Sequence, residues 1–350
     1  MHVLLLDLGL ELRGGQRQVY YLARALAETR TITALTACPA DGALAAFLRR
    51  EGLPLLPLPG RNPANPAMLW TLERGLRDVN ILHTHDAHAA AAGALFKTLH
   101  PKIRLVHSRR VSYPLRPGIR LWKYMQADAV VGVSREIADG MIRAGVPEKR
   151  VHAIHSGIDP ERYAPKRPRP DHAPFMFQSI GACTPQKGYG VLLWAMRELR
   201  DAALPPWTVR IVGDGPLRFS LLEEARRLGV ENRLSMPGRL ESRDVLPDCD
   251  ALVVPSVDGE GSSGAIKEGW ATGVPVICSA LQSNTELIHD GENGLTAAVR
   301  DPQALAEAMR RCLLDANLRE RLVAAGNRSV LEFTDRRMAL AYAALYETLL

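Results

Sequence analysis

Cysteine is scarce in this 350-residue chain, and the five present, Cys38, Cys183, Cys249, Cys278 and Cys312, are scattered and form no CxxC pair. Their number and spacing exclude a disulfide framework and a cysteine-based structural zinc site, and a reducing cytosol is the simplest home. Long hydrophobic runs are missing as well. No stretch approaches the roughly 20 apolar residues of a membrane-spanning helix. The opening MHVLLLDLG has no basic region before its apolar run and no small-residue cleavage site after it, so it reads as a first strand and not as a signal peptide. No GxxxxGK[ST] phosphate loop occurs, and the loop after the first apolar run lacks GxGxxG spacing. Charge of one sign is only mildly in excess. A net +6 suits nucleic acid, anionic lipid or phosphate-rich ligands without choosing among them.

What is present is a regular alternation. Hydrophobic content of 47% gives 350 residues enough apolar material for about two cores. Short apolar runs at 3–8, 31–37, 79–83, 103–107 and 129–133 read as strands, and amphipathic segments at 15–28, 43–51 and 87–99 read as helices. The stretch PERYAPKRPRPDHAP, Pro160–Pro174, carries five prolines and four Lys or Arg residues. Proline removes backbone donors and fixes φ, so this stretch is neither helix nor central strand and reads as an interdomain linker. The alternation then restarts, with strands at 175–180, 208–212, 251–255 and 274–279 and helices at 188–199, 217–228, 302–314 and 335–350. Buried strands alternating with helices imply βαβ units and parallel sheets covered on both faces. The expectation is an α/β chain of two doubly wound domains, with ligands beyond the carboxyl ends of the strands.

The densest signal lies in EGSSGAIKEGWATGVPVICS, where Glu260 and Glu268 have seven residues between them. Ser262, Ser263, Gly264 and Ala265 are small enough for backbone amides to reach an anion, and a helix starting there adds free N–H groups and the positive end of its dipole. Gly273 is a plausible helix stop, with a buried strand after it. A diphosphate on the amides flanked by two carboxylates is one reading; a loop with two solvated glutamates is the other. Gly14 and Gly15 follow the first strand and open a helix, either as a backbone approach to an anion or as a plain turn. In His83-Thr84-His85-Asp86, alternation puts both histidines on one side of a strand. His85 lies nearer the sheet edge, where it can hydrogen-bond a sugar hydroxyl, while His83 reads as a core histidine. No accompanying set completes a metal site there. GACTPQKG, Gly181–Gly188, joins a strand to a helix, and Lys187 would add a full charge to an anion site or stand as a surface lysine. GDGP at 213–216 reads as a tight turn with proline at the first helical position. Gly238-Arg239 is a weak candidate for a nucleobase contact, and DGENG at 290–294 reads as a hairpin-like turn. RLVHSRRVSYPLRPGIR, Arg104–Arg120, clusters Arg109, Arg110 and Arg116 near Trp122 and Tyr124, either a solvated basic face or a contact with anionic lipid.

Together these segments resemble the retaining glycosyltransferases of family 4, of the group 1 glycosyl transferases, which have the GT-B fold. The resemblance rests on Gly14-Gly15 with QRQVYYLARAL, on VSREIADGMIRAGVPEKRVHAIHSGID, on GxxxxxKG at Gly181–Gly188, on VGDGP, and on the E-x7-E element followed in register by ATGVPVI and DGENGL. It implies two doubly wound Rossmann-like domains facing a central cleft: an acceptor-side domain over 1–165, a nucleotide-sugar domain over 166–334, and a final helix, 335–350, crossing back to the first. It also implies a nucleotide-diphosphate sugar as co-substrate, a UDP- or GDP-sugar, with no metal and no cofactor. The acceptor would be a glycan or a lipid-linked sugar in cell-envelope polysaccharide or lipopolysaccharide synthesis. The protein would be cytoplasmic, with peripheral contact at the inner face of the plasma membrane and no nucleic acid partner. By the same resemblance Glu268 binds the donor ribose and Glu260 lies beside the donor sugar. Lys187, with amides of Ser262, Ser263, Gly264 and Ala265 and of Gly14 and Gly15, neutralises the leaving diphosphate. His85 contacts the transferred sugar and Arg239 lies near the base. Three positions depart from the family pattern. Ala182 stands where an arginine is usual, EGSS replaces EGFG, and Ser156 replaces an asparagine. Two alternatives share the fold: a nucleotide-sugar 2-epimerase-like isomerase and a catalytically silent sugar-nucleotide-binding protein.

Overall fold

The computed structural model describes residues 1–11, 14–29, 31–62, 65–115, 118–170 and 172–350. The chain divides into two compact units, Met1–Ile158 with Phe333–Leu350, and Asp159–Glu332. The first unit runs β1 (His2–Leu6), α1 (Gly14–Ala27), β2 (Thr33–Pro39), α2 (Ala43–Arg50), β3 (Leu55–Leu58), α3 (Pro66–Gly75), β4 (Ile81–Thr84), α4 (Ala87–Leu99), β5 (Arg104–Arg109), α5 (Ile119–Met125), β6 (Ala129–Gly132), α6 (Arg135–Arg143) and β7 (Val151–Ala153). The second runs β8 (Phe175–Ile180), α7 (Tyr189–Arg200), β9 (Trp207–Val212), α8 (Arg218–Arg227), β10 (Leu234–Gly238), α9 (Ser242–Val245), β11 (Ala251–Val254), α10 (Gly264–Thr272), β12 (Val276–Ser279), α11 (Gln282–Thr285), β13 (Leu295–Ala297), α12 (Pro302–Leu314) and α13 (Ala316–Ser329). A last helix, α14 (Asp335–Leu349), belongs to the first unit.

Among the described residues the first unit holds a seven-stranded parallel sheet in the order β3-β2-β1-β4-β5-β6-β7. The second holds a six-stranded parallel sheet in the order β10-β9-β8-β11-β12-β13. The central strands are buried on both sides because helices cover both faces; β4, β6, β11 and β12 are buried at every position, including His83 and Thr84 of β4. The edges are different. β3 (LLPL) carries Pro57 where a missing donor breaks no central ladder.

Each sheet has one point where the winding reverses, between β1 and β4 in the first and between β8 and β11 in the second. Loops leaving the carboxyl ends of those strands diverge to opposite faces and open a crevice. In the first unit these are the segments after Leu6 and Thr84. In the second they are the segments after Ile180 and Val254. The fold thus selects four short stretches for chemistry.

Local signals set the helix starts. Asp86, Ser134, Asp301 and Thr334 each accept a backbone N–H as N-cap of α4, α6, α12 and α14. The proline-rich stretch expected as a linker is tied along the second unit. The Lys166 amide donates to Thr272 O and the Arg167 amide to Pro247 O, while Lys166 and Arg169 both pair with Asp250. Non-proline amides between the prolines still find carbonyls, so the stretch is irregular without being detached. The turn at 213–216 also differs from expectation. α8 starts at Arg218, two residues after Pro216, because Leu217 N is drawn to Cys183 O. DGENG closes a turn between Asp290 and Gly294, yet β13 beyond it pairs parallel to β12 and makes no hairpin.

Candidate active site

In the second unit the loop after β8 ends in a single 3-10 turn, Pro185–Lys187, and Gly188 links it to α7 in the left-handed conformation, φ 66°. A Cβ on Gly188 would sit 2.0 Å from Pro255 O, and one on Gly213 would sit 1.8 Å from Gly181 O. Only glycine lets these backbones meet, and their contact brings Lys187 beside the segment that follows β11. There Lys187 Nζ donates to Glu260 Oε1 at 2.7 Å, and Ser256 Oγ donates to the same oxygen at 2.5 Å. Glu260 is 9% exposed. Burial alone would raise its pKa, but the charge of Lys187 and the hydrogen bonds from Lys187 and Ser256 outweigh it and hold the carboxyl below the ordinary glutamate range. Glu260 is therefore a carboxylate at neutral pH, next to an ammonium that remains partly exposed.

Four residues after Glu260, α10 begins at Gly264 with Ser263 at its N-cap, and no side chain caps it. The first N–H groups of a helix have no partner within it, so they point outward with the positive end of the dipole behind them. Ser262, Ser263, Gly264 and Ala265 line this start. Glu268 is partly exposed one turn further on, its Oε1 4.0 Å from where a Cβ on Gly264 would stand. The structure thus brings Lys187, Glu260 and Ser256 together and places Glu268 along the same helix start. An ammonium, a row of amides and two carboxylates can hold a dianion on one side and hydroxyl groups on the other. Arg239 follows β10, exposed and without a side-chain partner among the described residues.

In the first unit His83 and His85 follow one another along β4 and its end, their rings 4.0 Å apart. His83 lies in the core, with Nδ1 2.6 Å from Tyr346 Oη and Nε2 2.8 Å from Ser108 Oγ; that serine is 2.7 Å from Tyr342 Oη. His85 Nδ1 is 3.0 Å from Arg110 Nη2. Burial, with His83 and Arg110 beside it, holds His85 well below the usual histidine range, so its ring is neutral. Gly14 and Gly15 open α1; Leu12 and Arg13 before them lie outside the described residues. A Cβ on Gly15 would come 3.6 Å from Arg110 Cδ. Beneath the loop Asp7 is fully buried and accepts from Gly9 N at 2.9 Å and Gln16 Nε2 at 3.0 Å. Burial first, then the neighbouring Asp86, push its pKa up to about 6.

One expectation is corrected here. Arg110 belongs to the basic run read as a solvated or lipid-facing surface, but it turns inward to His85 and Ser156 because β5 is an inner strand whose end opens beside β4. Of its companions, Arg104 pairs with Asp128, Arg109 donates to Tyr113 O, and Arg116 lies outside the described residues. Ser256 and Lys267 were also missed. Lys267 is fully buried and donates to Ser262 Oγ at 2.5 Å, tying the loop to its own helix. A usable signal existed, since Gly259-Glu260-Gly261-Ser262-Ser263-Gly264 itself has GxGxxG spacing after a strand and before a helix. Among the described residues no group of three or more His, Cys, Asp or Glu is arranged to hold a metal ion, and no helix is long and apolar enough to cross a membrane.

Two doubly wound parallel-sheet units have the architecture of the GT-B fold, and the comparisons assign the family. Residues 12–162 match the model described as Glycosyltransferase Family 4, and residues 175–315 match the model described as Glycosyl transferases group 1. The chain belongs to the group 1, family 4 glycosyltransferases. It is 27% identical over 194 residues to the "Putative colanic acid biosynthesis glycosyltransferase WcaL" of Escherichia coli, covering 53% of this chain and 48% of that protein. The chain thus spans about half the length of that relative. It is 28% identical over 318 residues to the "Glycogen synthase" of Mycobacterium tuberculosis, covering 81% of this chain and 76% of the relative. The solved structure of Anabaena Alr3699/HepE in complex with UDP and glucose superposes with a TM-score of 0.85 at 19% identity, over 99% of this chain and 100% of that one, a likeness of fold.

Proposed function

We propose that this protein transfers a sugar from a nucleotide-diphosphate donor, a UDP- or GDP-sugar, to a glycan or lipid-linked acceptor, with retention of configuration and without a metal ion. The observation that carries the reading is the Lys187–Glu260 pair at the winding reversal of the second sheet, four residues ahead of the uncapped start of α10. In the transfer, the bond between the anomeric carbon and the phosphate oxygen breaks and its electrons go to the diphosphate. The acceptor oxygen bonds the anomeric carbon from the same face and its proton passes to the leaving phosphate oxygen. Negative charge grows on that phosphate, so fixed positive groups aimed at it lower the barrier most. Lys187 and the α10 amides supply them, Glu268 binds the ribose, and Glu260, kept ionised by Lys187, faces the carbon that becomes cationic. His85 is the first unit's contribution, a hydrogen bond to a sugar hydroxyl. In this reading Arg239 meets the base.

Cell-envelope glycan synthesis is the biological setting we favour, supported by the name of the Escherichia coli relative. The UDP held in the Anabaena structure supports UDP-glucose as the first donor to try. On this reading the protein works at the cytoplasmic side of the membrane, with peripheral contact through exposed Trp122 and Arg120. The test is a donor screen by thermal shift followed by product analysis. Preferential stabilisation by one nucleotide sugar, and transfer that Glu260→Ala and Lys187→Ala each reduce by about 10²-fold or more, is the expected result. Unchanged transfer in both variants overturns the site, and donor turnover without any acceptor favours an isomerase instead.

A further inference from the structure

The basic residue that sequence patterning assigned to the surface is half-buried just past the end of β5 and turned inward. Arg110 Nη2 stands 3.0 Å from His85 Nδ1, and Nη1 stands 3.4 Å from Ser156 Oγ. A guanidinium only donates. His85 Nδ1 must therefore accept, which leaves the single proton of the neutral ring on Nε2. His85 is 3% exposed, and its Nε2 is buried with no hydrogen-bond partner among the described residues. Buried donors are seldom left unmatched, and this one lies at the end of a strand beside a winding reversal, where a bound ligand can match it. The ring is held on its other side by His83, itself fixed through both nitrogens by Tyr346 and Ser108. His85 is thus oriented from two directions, with one N–H left over.

We infer that Arg110 is a positioning residue that locks His85 as the Nε2–H tautomer and makes it a fixed hydrogen-bond donor to a hydroxyl oxygen of the bound sugar. The role of His85 toward the sugar rests on the proposed transfer; the tautomer does not. Losing Arg110 frees Nδ1 to take the proton, and a ring protonated there presents a lone pair where the sugar needs a donor.

The experiment is a long-range proton–nitrogen spectrum of the full chain labelled with 15N-histidine, without ligand, with His85 assigned by its absence in His85→Gln. The parent is expected to show Nε2 protonated and Nδ1 bare. Arg110→Met should mix or invert that pattern, and Arg110→Lys, which keeps a cationic donor, should restore it. In the same variants transfer should fall about tenfold for Arg110→Met, the rate equivalent of one neutral hydrogen bond, and recover in Arg110→Lys. A parent protonated at Nδ1, or an unaltered His85 pattern in Arg110→Met, overturns the inference even if transfer falls, because the residue then acts only on stability. If the parent shows the expected pattern but binds no nucleotide sugar, the hold of Arg110 on His85 stands and the proposed activity falls.

Discussion

The two units share one architecture and solve opposite electrostatic problems. At the reversal of the second sheet an ammonium meets a carboxylate, and the charge of Lys187 with the hydrogen bonds from Lys187 and Ser256 keeps Glu260 ionised despite its burial. At the reversal of the first sheet burial works against charge: two histidines are kept unprotonated and a buried carboxyl is pushed up to about 6, with the Arg110 guanidinium beside them. The second unit is thus suited to receive charge, such as a leaving phosphate. The first is suited to read uncharged hydroxyls. A doubly wound sheet fixes where a site lies and leaves its chemistry to a few loop residues.

The sharpest way to break this contrast is to remove the charge of the second unit. Lys187→Ala is expected to lower transfer by about 10²–10³-fold, the usual loss for one fixed group at a developing anion. A comparable loss in His85→Ala but not in Lys187→Ala, measured by steady-state rates, would reverse the roles given to the two units. Next in size is a backbone effect. Gly188→Ala meets both a left-handed φ and the carbonyl of Pro255, and should destabilise the second unit by about 2–4 kcal/mol in urea denaturation.

The two carboxyls also predict opposite pH trends. The folded pKa of Asp7 is raised, so its contribution to stability is complete below the ordinary aspartate range and is lost as pH rises through about 6. Asp7→Asn should therefore gain on the parent by about 2–3 kcal/mol between pH 4 and pH 8. Glu260 is depressed, so its contribution is present above the ordinary glutamate range and is lost as pH falls through the lowered value. Glu260→Gln should lose ground to the parent as pH rises from 3 to 5, read as urea midpoints at each pH. Equal slopes for the two variants would erase the distinction between the units. Smallest is Tyr346→Phe, which strips a partner from His83 Nδ1 and should cost the first unit about 1–2 kcal/mol, seen in the same denaturation series.

The contrast also explains what was legible in the sequence. The second site is local. Glu260, Ser262 and Glu268 fall within one loop and one helix, and Lys187 sits in a glycine-framed turn, so local spacing raised them as candidates that the family resemblance then chose between. The first site is assembled from distant parts. His83 meets Tyr346 across 263 positions, and Arg110 meets His85 across 25, with a fold in between that decides which way each faces. A cluster of arginines is most simply a solvated face. Only the inner position of β5 turns one of them, Arg110 just past its end, inward to His85. Strands with continuous apolar runs were readable for the same local reason. Short or edge elements such as β3, β7, β10 and β13, which hold few apolar residues and depend on their neighbours for pairing, were not.

The most direct measurement is the calorimetric affinity of UDP, GDP and ADP for the parent protein and for Lys187→Ala. The account predicts that at least one nucleoside diphosphate binds the parent, that its nucleoside without phosphates does not, and that Lys187→Ala weakens the diphosphate by about tenfold or more, the worth of one charge-assisted hydrogen bond. Equal affinity of parent and variant, or equal binding of nucleoside and diphosphate, would contradict it.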